Sequence, residues 1–598
     1  MLFKLALTGI KSRFKDYFVL FSGLMAASLS FYMFLDLATN PQFLKSNVNL
    51  GYHYTSVIFG FGIVLLAIIT FIYMIYANRF LLSMRQRDYG MFMMLGARNS
   101  RIALLIFLET LIIGIIGTLA GVILGFGVTW LVAKMIVKQL GLTITNFNAI
   151  YLPAVLWTFV FFICLFLLAG AWNSHKLAQS PVIKLLNEQQ KPISLKKHPV
   201  LTAIEAILGL VLLAIGYWAM AAFQKLMLWS IPIALVTIVV GSFFLFDSLL
   251  ISVIDWLRHR HQILYHRLRP FTLGQLKFRL RDYTRILTCV SILFALALGA
   301  ITVGINFNTL KEQAKASTYY DGVITTSKVD LHKELSKLHL KKKIDYQYKV
   351  VSHQLYVNEQ TLAANPPKTQ IFYLKNGVQS YRTAKINYES KKGQSSEEFK
   401  FLFPEGLVVT SSHVVPAAQF ERLKAPIKNV TYLQVHDFDQ DYPVLKKIML
   451  KQQRADPSQT DFYTFTKPVV YQLGLNIESG FTFMGIFLGL AFMMMLASML
   501  MFKVLSGAPS DKIRYQMLSK IGARRSLLRR SMYQEIGLLF LLPGLLGVVH
   551  VLFGLQFFKS LIPQPYHEIW IPFLIFILLY GGYYLITIKL YDHLVIKS

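Results

Sequence analysis

The chain has 598 residues, 55% of them hydrophobic, and carries a formal net charge of +31. Soluble multi-domain proteins do not need so large an apolar fraction for their cores, so the composition excludes that class. The two cysteines, Cys164 and Cys289, both fall in apolar runs, which excludes a disulfide framework and a metal site built from clustered thiolates.

Ten apolar runs of about 20 residues are predicted to be membrane-spanning helices. The first run follows four basic residues and is long enough to span, so we do not interpret it as a cleavable signal peptide. The predicted spans are residues 17–37, 55–77, 106–133, 151–171, 201–222, 229–254, 286–308, 479–502, 532–555 and 568–588.

Lysine and arginine are distributed unevenly between alternate connections. With the N-terminus in the cytoplasm, the inner segments hold 32 of the 61 basic residues and the four short outer connections hold 5. This bias is the positive-inside signal, and it predicts a multi-pass protein of the cell membrane with cytoplasmic N- and C-termini. The basic charge is therefore a topology signal and an attraction to anionic headgroups, and we expect no nucleic-acid partner.

An internal repeat reveals the unit of construction. The segment IKSRFKDY (10–17) precedes the first span, and LKFRLRDY (276–283) precedes the seventh. Each begins a basic lead-in followed by four spans, and the two copies run in the same direction with spans five and six between them. We predict an α-helical polytopic membrane protein with ten transmembrane helices in a 4+2+4 arrangement. The predicted domains are 1–200 (first four-helix unit), 201–266 (connecting pair), 267–308 (lead-in and helix seven), 309–477 (outer domain) and 478–598 (helices eight to ten).

Residues 309–477, between predicted spans seven and eight, differ sharply from their surroundings. They hold 24 Lys and Arg against 16 Asp and Glu. Asn376-Gly377 lies between two strand-like runs, which predicts a β-hairpin, and EGLVVTSS (405–412) and NVTYLQVHDF (429–438) predict further strands. PVLKKIMLKQQ (443–453) predicts a short amphipathic helix. We expect a mixed α/β domain on the extracellular side.

A second repeat joins MMLGARNSRIALLIFLE (93–109) to SKIGARRSLLRRSMYQE (519–535), where Gly, Ala, Arg, Ser and Glu recur at one constant offset. In each copy an apolar helix is predicted to end at the glycine, and a second helix to begin shortly afterwards and continue into the next span. The first helix is expected to be short and to lie along the inner membrane interface. It either anchors the next span or docks on a partner protein. Its presence in both halves favours a paired docking surface.

The two repeats end on Glu109 and Glu535, at the inner start of spans three and nine. A carboxylate near the start of a helix is favoured by the helix dipole, and Arg98 or Arg101 can pair with the first. The alternative is a charge relay or gating contact, because ionisable residues inside a membrane often mark function.

The sequence contains no G-x-x-x-x-G-K-[ST], H-E-x-x-H or G-x-S-x-G motif. Its 14 histidines are scattered and indicate no metal site. We therefore expect neither enzymatic activity nor a bound metal in this chain.

The Gly-Ala-Arg segments, each followed by a Gly-rich span, resemble the FtsX-like permease domain of ABC systems. Two such domains, ten spans and one large outer domain between spans seven and eight resemble the Bce-type permeases of Gram-positive bacteria, over essentially the whole chain. The chain departs from that pattern in two ways. Its outer domain is at the small end of the size range of the family, and the second repeat has Arg514 at the position where the first has Asp88.

The resemblance implies a permease that pairs with two copies of a separate ATPase subunit. ATP and Mg²⁺ belong to that subunit, and this chain has no cofactor of its own. Family members protect cell-wall synthesis from antimicrobial peptides such as bacitracin or lantibiotics, releasing peptide from its lipid target, and report flux to a membrane sensor histidine kinase. The implied ATPase-coupling residues are Met94, Leu95, Gly96, Ala97, Arg98, Lys520, Ile521, Gly522, Ala523 and Arg524.

Lys311 and Lys315 follow span seven, near the expected outer face of the membrane. A lipid of the undecaprenyl-pyrophosphate type would make charge-assisted contacts with such lysines, whereas the alternative is that both side chains snorkel to ordinary headgroups. An alternative function is an FtsX-like mechanotransmission scaffold that signals to a wall hydrolase or kinase without transport.

Overall fold

The computed structural model describes residues 2–12, 14–44, 52–139, 148–178, 199–259, 269–326, 328–375, 378–388, 397–560, 562 and 564–597. Its first part is built from helices alone. Two of them are much longer than a membrane is thick: α4 has 43 residues and α5 has 41, about 60 Å each at the α-helical rise. The helices are α1 (Leu2–Ser12), α2 (Phe14–Thr39), α3 (Pro41–Leu44), α4 (Tyr52–Met94), α5 (Asn99–Gln139) and α6 (Leu152–Ala178).

The middle of the chain is a helical pair followed by a long helix. The second member of the pair contains a 3₁₀ turn (Met227–Trp229) and a π turn (Leu245–Leu249). The helices are α7 (Pro199–Ala221), α8 (Phe223–Leu226), α9 (Ser230–Phe244), α10 (Leu250–His259), α11 (Arg269–Asn306) and α12 (Thr309–Ala316). The expected lead-in before span seven is continuous with that span, because α11 includes both.

An inserted domain follows α12 and contains every strand of the described chain. Five strands form one sheet in the order β1-β7-β2-β3-β6, in which only β3 and β6 pair in parallel, and β4 and β5 form a separate antiparallel hairpin. The strands are β1 (Gly322–Ile324), β2 (Leu340–Val351), β3 (Gln354–Asn358), β4 (Lys368–Lys375), β5 (Val378–Lys385), β6 (Ser411–Val415) and β7 (Lys428–Val435). Its helices are α13 (His332–Leu335), α14 (Glu359–Ala364), α15 (Glu397–Lys400), α16 (Ala417–Arg422), α17 (Phe438–Ala455) and α18 (Thr460–Tyr463).

The core of the inserted domain follows from alternation along its strands. On β2, Ile344, Tyr346 and Tyr348 are buried while Asp345 between them is exposed, as expected when one face of a strand covers a core. Asp437 caps α17, since its carboxylate accepts the backbone N–H of Asp439. The mixed α/β character, the β4–β5 hairpin, β7 and α17 confirm the predictions, although Asn376-Gly377 lies outside the described residues.

One predicted strand is wrong in this domain. Most of EGLVVTSS is not extended: residues Pro404–Leu407 form a 3₁₀ turn and β6 begins only at Ser411. Pro404 fixes the start of the turn, and the N–H of Gly406 donates to the carbonyl of Phe403. Val408 is consequently left 71% exposed instead of packing as a strand residue.

The last part returns to long helices: α19 (Lys467–Lys520), α20 (Arg525–Phe557) and α21 (Trp570–Asp592). Within the described residues, ten helical segments are long and apolar enough to cross a membrane, which confirms the predicted fold class. The division into five domains at 200, 266, 308 and 477 stays a prediction.

The helix α19 packs at the centre of the bundle, against α11 from its own repeat and against α2 and α4 from the other. Its contact with α11 is a close backbone approach: a Cβ on Gly485 would lie 2.3 Å from the carbonyl oxygen of Ala300. The contact with α4 is polar, with 3.1 Å between the buried hydroxyls of Tyr73 and Ser498. Small residues at helix contacts and hydroxyl pairs are the usual means of joining membrane helices.

Candidate functional site

The first Gly-Ala-Arg segment forms a tight turn between α4 and α5. The N–H of Gly96 donates to the carbonyl of Met93, and the N–H of Ala97 donates to the carbonyl of Phe92. This is the Schellman pattern, which needs a left-handed residue after the helix, and Gly96 supplies it with φ of 92°. The carbonyl oxygen of Arg98 then accepts a hydrogen bond from the N–H of Arg101, and α5 begins there.

The second segment repeats this geometry between α19 and α20. The N–H of Gly522, which has φ of 98°, donates to the carbonyl of Ser519. The N–H of Ala523 donates to the carbonyl of Leu518, and Arg524 opens α20. The predicted helix stop, the turn at glycine and the new helix into the next span are therefore confirmed in both copies.

Both turns present apolar side chains on the surface. Leu95 is 85% exposed and Ile521 is 83% exposed, at equivalent positions of the two repeats. The rest of the predicted set is also exposed or, at the two alanines, half-buried: Met94, Gly96, Ala97, Arg98, Lys520, Gly522, Ala523 and Arg524. Exposed apolar residues at the tip of a helical hairpin are typical of a docking surface.

The expected short interfacial helix before each glycine is wrong. In both copies the helix that ends at the glycine is the membrane-spanning helix itself, because α4 runs unbroken from Tyr52 and α19 from Lys467. In the first copy the polar stretch between span and turn is rich in good helix formers, whereas in the second the helix continues through Gly507 and Pro509. Each turn therefore lies at the end of a helix that is long and apolar enough to cross the membrane.

Glu109 and Glu535 are both buried, and each accepts a hydrogen bond from a tyrosine. Tyr89 lies 2.8 Å from Glu109 and Tyr515 lies 3.3 Å from Glu535, measured between hydroxyl and carboxylate oxygens. The two tyrosines are equivalent by the same offset that relates the glycines, so the repeat could have revealed them. A gating role for either glutamate stays a prediction.

In the second copy Glu535 belongs to a buried charged cluster that the sequence did not reveal. The guanidinium of Arg279 contacts Glu535 through Nε and lies 2.7 Å from Asp511 through Nη2. The hydroxyl of Tyr591 donates to the same oxygen of Asp511 at 2.6 Å. We call Arg279, Asp511, Glu535 and Tyr591 the Arg279 cluster; it joins α11, α19, α20 and α21. The sequence signals were the repeat that ends on Glu535 and the match between Arg13 and Arg279 in the two lead-ins.

The two lysines predicted to contact a lipid phosphate are both paired within the protein. Lys311 Nζ lies 3.4 Å from the carboxylate of Glu478 on α19, and Lys315 pairs with Asp439 on α17. A phosphate at either lysine would compete with these carboxylates. The pairs instead tie α12 to its neighbours.

Among the described residues, no group of three or more His, Cys, Asp or Glu side chains is arranged to hold a metal ion.

Comparisons with known proteins agree with this architecture. Residues 60–182 match the family model of the FtsX-like permease C-terminal domain. The chain is 21% identical to the "Uncharacterized ABC transporter permease YvcS" of Bacillus subtilis, covering 98% of both chains. It is 22% identical to the "ABC transporter permease protein YxdM" of the same organism, over 87% of this chain and 86% of the relative. It is 21% identical to the "Bacitracin export permease protein BceB" of Halalkalibacterium halodurans, over 97% and 96%.

The ten long apolar helices of the described residues indicate a multi-pass membrane protein, and the permease relatives indicate a component of a transporter. More particularly, residues 60–182 match an FtsX-like permease domain, and nearly the whole chain is similar to proteins named ABC transporter permeases, one of them a bacitracin export permease.

Proposed function

We propose that this chain is the permease subunit of an ABC transporter that confers resistance to cell-wall-targeting antimicrobial peptides of the bacitracin or lantibiotic kind. It releases the peptide from an undecaprenyl-pyrophosphate-type lipid and reports the flux to a membrane sensor histidine kinase. Relatives named for bacitracin export support the substrate class.

The proposed topology has both termini and both Gly-Ala-Arg turns in the cytoplasm and the inserted domain outside the cell. The concentration of basic residues in the segments on the turn side supports it, because short cytoplasmic loops retain lysine and arginine.

Two copies of an ATPase subunit dock on the two turns, one on each. The equal geometry of the turns and the exposure of Leu95 and Ile521 support this arrangement. ATP and Mg²⁺ are bound by those subunits, and this chain contributes the surface that receives their movement.

One observation carries the proposal: α19 is a single helix of 54 residues, about 80 Å long at the α-helical rise. It begins at the inserted domain and ends at the Gly522 turn. A displacement of the turn by an ATPase is therefore conveyed to the inserted domain along one continuous helix, which contains Pro509. The close approach of Gly485 to Ala300 makes α11 move with it.

The continuous helix α19 is also compatible with the alternative function, a mechanotransmission scaffold that activates a wall hydrolase or kinase without transport. Deletion strains separate the two. Peptide hypersensitivity with normal cell shape supports the resistance permease, whereas chaining or lysis supports the scaffold.

The docking surface is tested by introducing a carboxylate side chain at both turns, in a double variant that combines Leu95→Glu and Ile521→Glu. We expect loss of ATPase co-purification and of bacitracin resistance in cells that contain normal amounts of the permease. Leu228→Glu is the matched control, since Leu228 is also an exposed leucine, 77% exposed on the connection between α7 and α9. Unchanged co-purification and resistance in the double variant would refute docking at the turns.

A further inference from the structure

A long groove runs along α20, between α11 and α21, within the membrane-spanning part of the second repeat. Its volume is about 1290 Å³, beyond the roughly 300–1,000 Å³ of pockets for drug-sized ligands. Its walls are almost entirely apolar and open to the surroundings: Leu541, Leu545 and Ile577 are 52%, 55% and 65% exposed. The groove therefore has the size and lining of a site for lipid chains.

One end of the groove is polar and basic. Ser526, Arg529 and Arg530 line it there, in the first turns of α20. Arg529 pairs with Asp592 through Nε at 3.1 Å, with its side chain 41% exposed. Arg530 is exposed and has no ion pair within the described part of the chain. An anion at this end meets two guanidinium groups, only one of which has a carboxylate beside it.

The basic end is specific to the second repeat. At the equivalent positions of the first repeat, Ala103 and Leu104 replace Arg529 and Arg530. The arginines are therefore not part of the repeated helical turn, and the docking of a subunit on both turns does not require them.

We propose that this groove binds an anionic phospholipid. The phosphate lies at Arg529 and Arg530, and the acyl chains lie along α20 toward Leu545. Guanidinium groups form charge-assisted, bidentate bonds with phosphate, and basic pockets between membrane helices hold anionic headgroups. A transmembrane helix of a partner would fill the apolar length but supply no anion for Arg530 and for the second side of Arg529, which already pairs with Asp592, so the charge pattern favours lipid.

Two adjacent glycines provide a matched pair of probes. Gly581 lines the groove, and Gly582 does not. A Cβ added at either position meets no atom within 4 Å. Gly581→Leu therefore adds an apolar side chain to the wall of the groove at a position with room for its Cβ, and Gly582→Leu adds the same side chain to the same helix elsewhere.

The test uses the purified full chain in detergent, titrated with phosphatidylglycerol or with phosphatidylcholine of identical acyl chains, and counts bound lipid by native mass spectrometry. We expect phosphatidylglycerol to bind more tightly. Arg530→Gln should weaken phosphatidylglycerol about five-fold and leave phosphatidylcholine unchanged, whereas Arg525→Gln, on the same helix but outside the groove, should change neither. Gly581→Leu should weaken both lipids, and Gly582→Leu neither.

Three results overturn the proposal. Equal binding of both lipids with no effect of Arg530→Gln excludes headgroup recognition. Glycerol phosphate that binds as tightly as phosphatidylglycerol makes the site one for a free phosphate. A co-purifying membrane protein that is lost on Gly581→Leu makes the groove a helix-docking surface. Thermal unfolding of each variant checks that it is folded. If Gly581→Leu does not fold, the comparison of Arg530→Gln with the wild type decides the outcome.

Discussion

Arg279 on α11 forms a buried ion pair with Asp511 on α19, with 2.7 Å between Nη2 and Oδ2 and side chains only 5% and 7% exposed. The pair is part of the Arg279 cluster, in which one cation serves two carboxylates. Charges buried at this depth are tolerated only when they are paired. The cluster therefore joins four helices, α11, α19, α20 and α21, in one arrangement on the side of the bundle that carries the Gly522 turn.

Replacing Arg279 should destabilise the permease more than any exposed arginine of the same region. Arg279→Gln leaves Asp511 and Glu535 buried without their cation, which costs about 3–5 kcal/mol. Arg514→Gln is the control: Arg514 lies 3.4 Å from Asp511 but its side chain is 40% exposed, and such pairs contribute about 1 kcal/mol or less. Thermal unfolding in detergent measures both, and equal midpoints for the two variants would contradict a structural role for the cluster.

The contact between α11 and α19 should not tolerate even one added methyl group. In Gly485→Ala the new Cβ would lie 2.3 Å from a backbone oxygen of α11, so the helices must separate, at a cost of about 1–3 kcal/mol. Gly127→Ala on α5, where nothing lies within 4 Å, should be neutral or stabilising because alanine is the better helix former. The two variants are compared by their thermal unfolding midpoints and by the amount of protein that each yields on expression. A stable Gly485→Ala variant would mean that the two helices are not held this closely.

These residues also mark how far the sequence could predict the structure. The ten spans and the two glycine turns were predictable, because apolar runs and a helix-ending glycine are local signals. The continuity of α19 was not, since Gly507 and Pro509 are local signals of a helix end and α19 nevertheless continues through both. The Arg279 cluster was not predictable either: Arg279 lies 232 positions before Asp511, and the periodicity of one helix does not reveal which charges meet across helices.

The link between α12 and the inserted domain should weaken in acid. Burial acts to raise the pKa of Asp439, but the hydrogen bond and charge of Lys315 outweigh it and hold that pKa below its usual value. A carboxylate with a lowered pKa stabilises the fold above its unfolded pKa of about 3.9, and this contribution is lost as the pH falls through the lower folded value.

Thermal unfolding of the wild type and of Asp439→Asn between pH 3 and pH 7 measures this link. We expect the wild type to be the more stable protein at pH 7 and the difference to shrink toward pH 3. A difference that is constant across this range would show that Asp439 contributes through neutral hydrogen bonds, such as that from Tyr471 at 3.1 Å, and not through its charge.

The two Gly-Ala-Arg turns should depend on glycine for conformation and not for space. No atom lies within 4 Å of a Cβ added at Gly96 or Gly522, but both have a positive φ, which costs a residue with a side chain about 1–2 kcal/mol. Gly96→Ala and Gly522→Ala should therefore distort the turns and weaken ATPase co-purification. The corresponding asparagine variants should be affected less, because asparagine tolerates this conformation. Gly60→Ala, equally open but inside α4, should leave co-purification unchanged. If alanine at the turns binds the ATPase as glycine does, the Schellman geometry is not what the partner recognises.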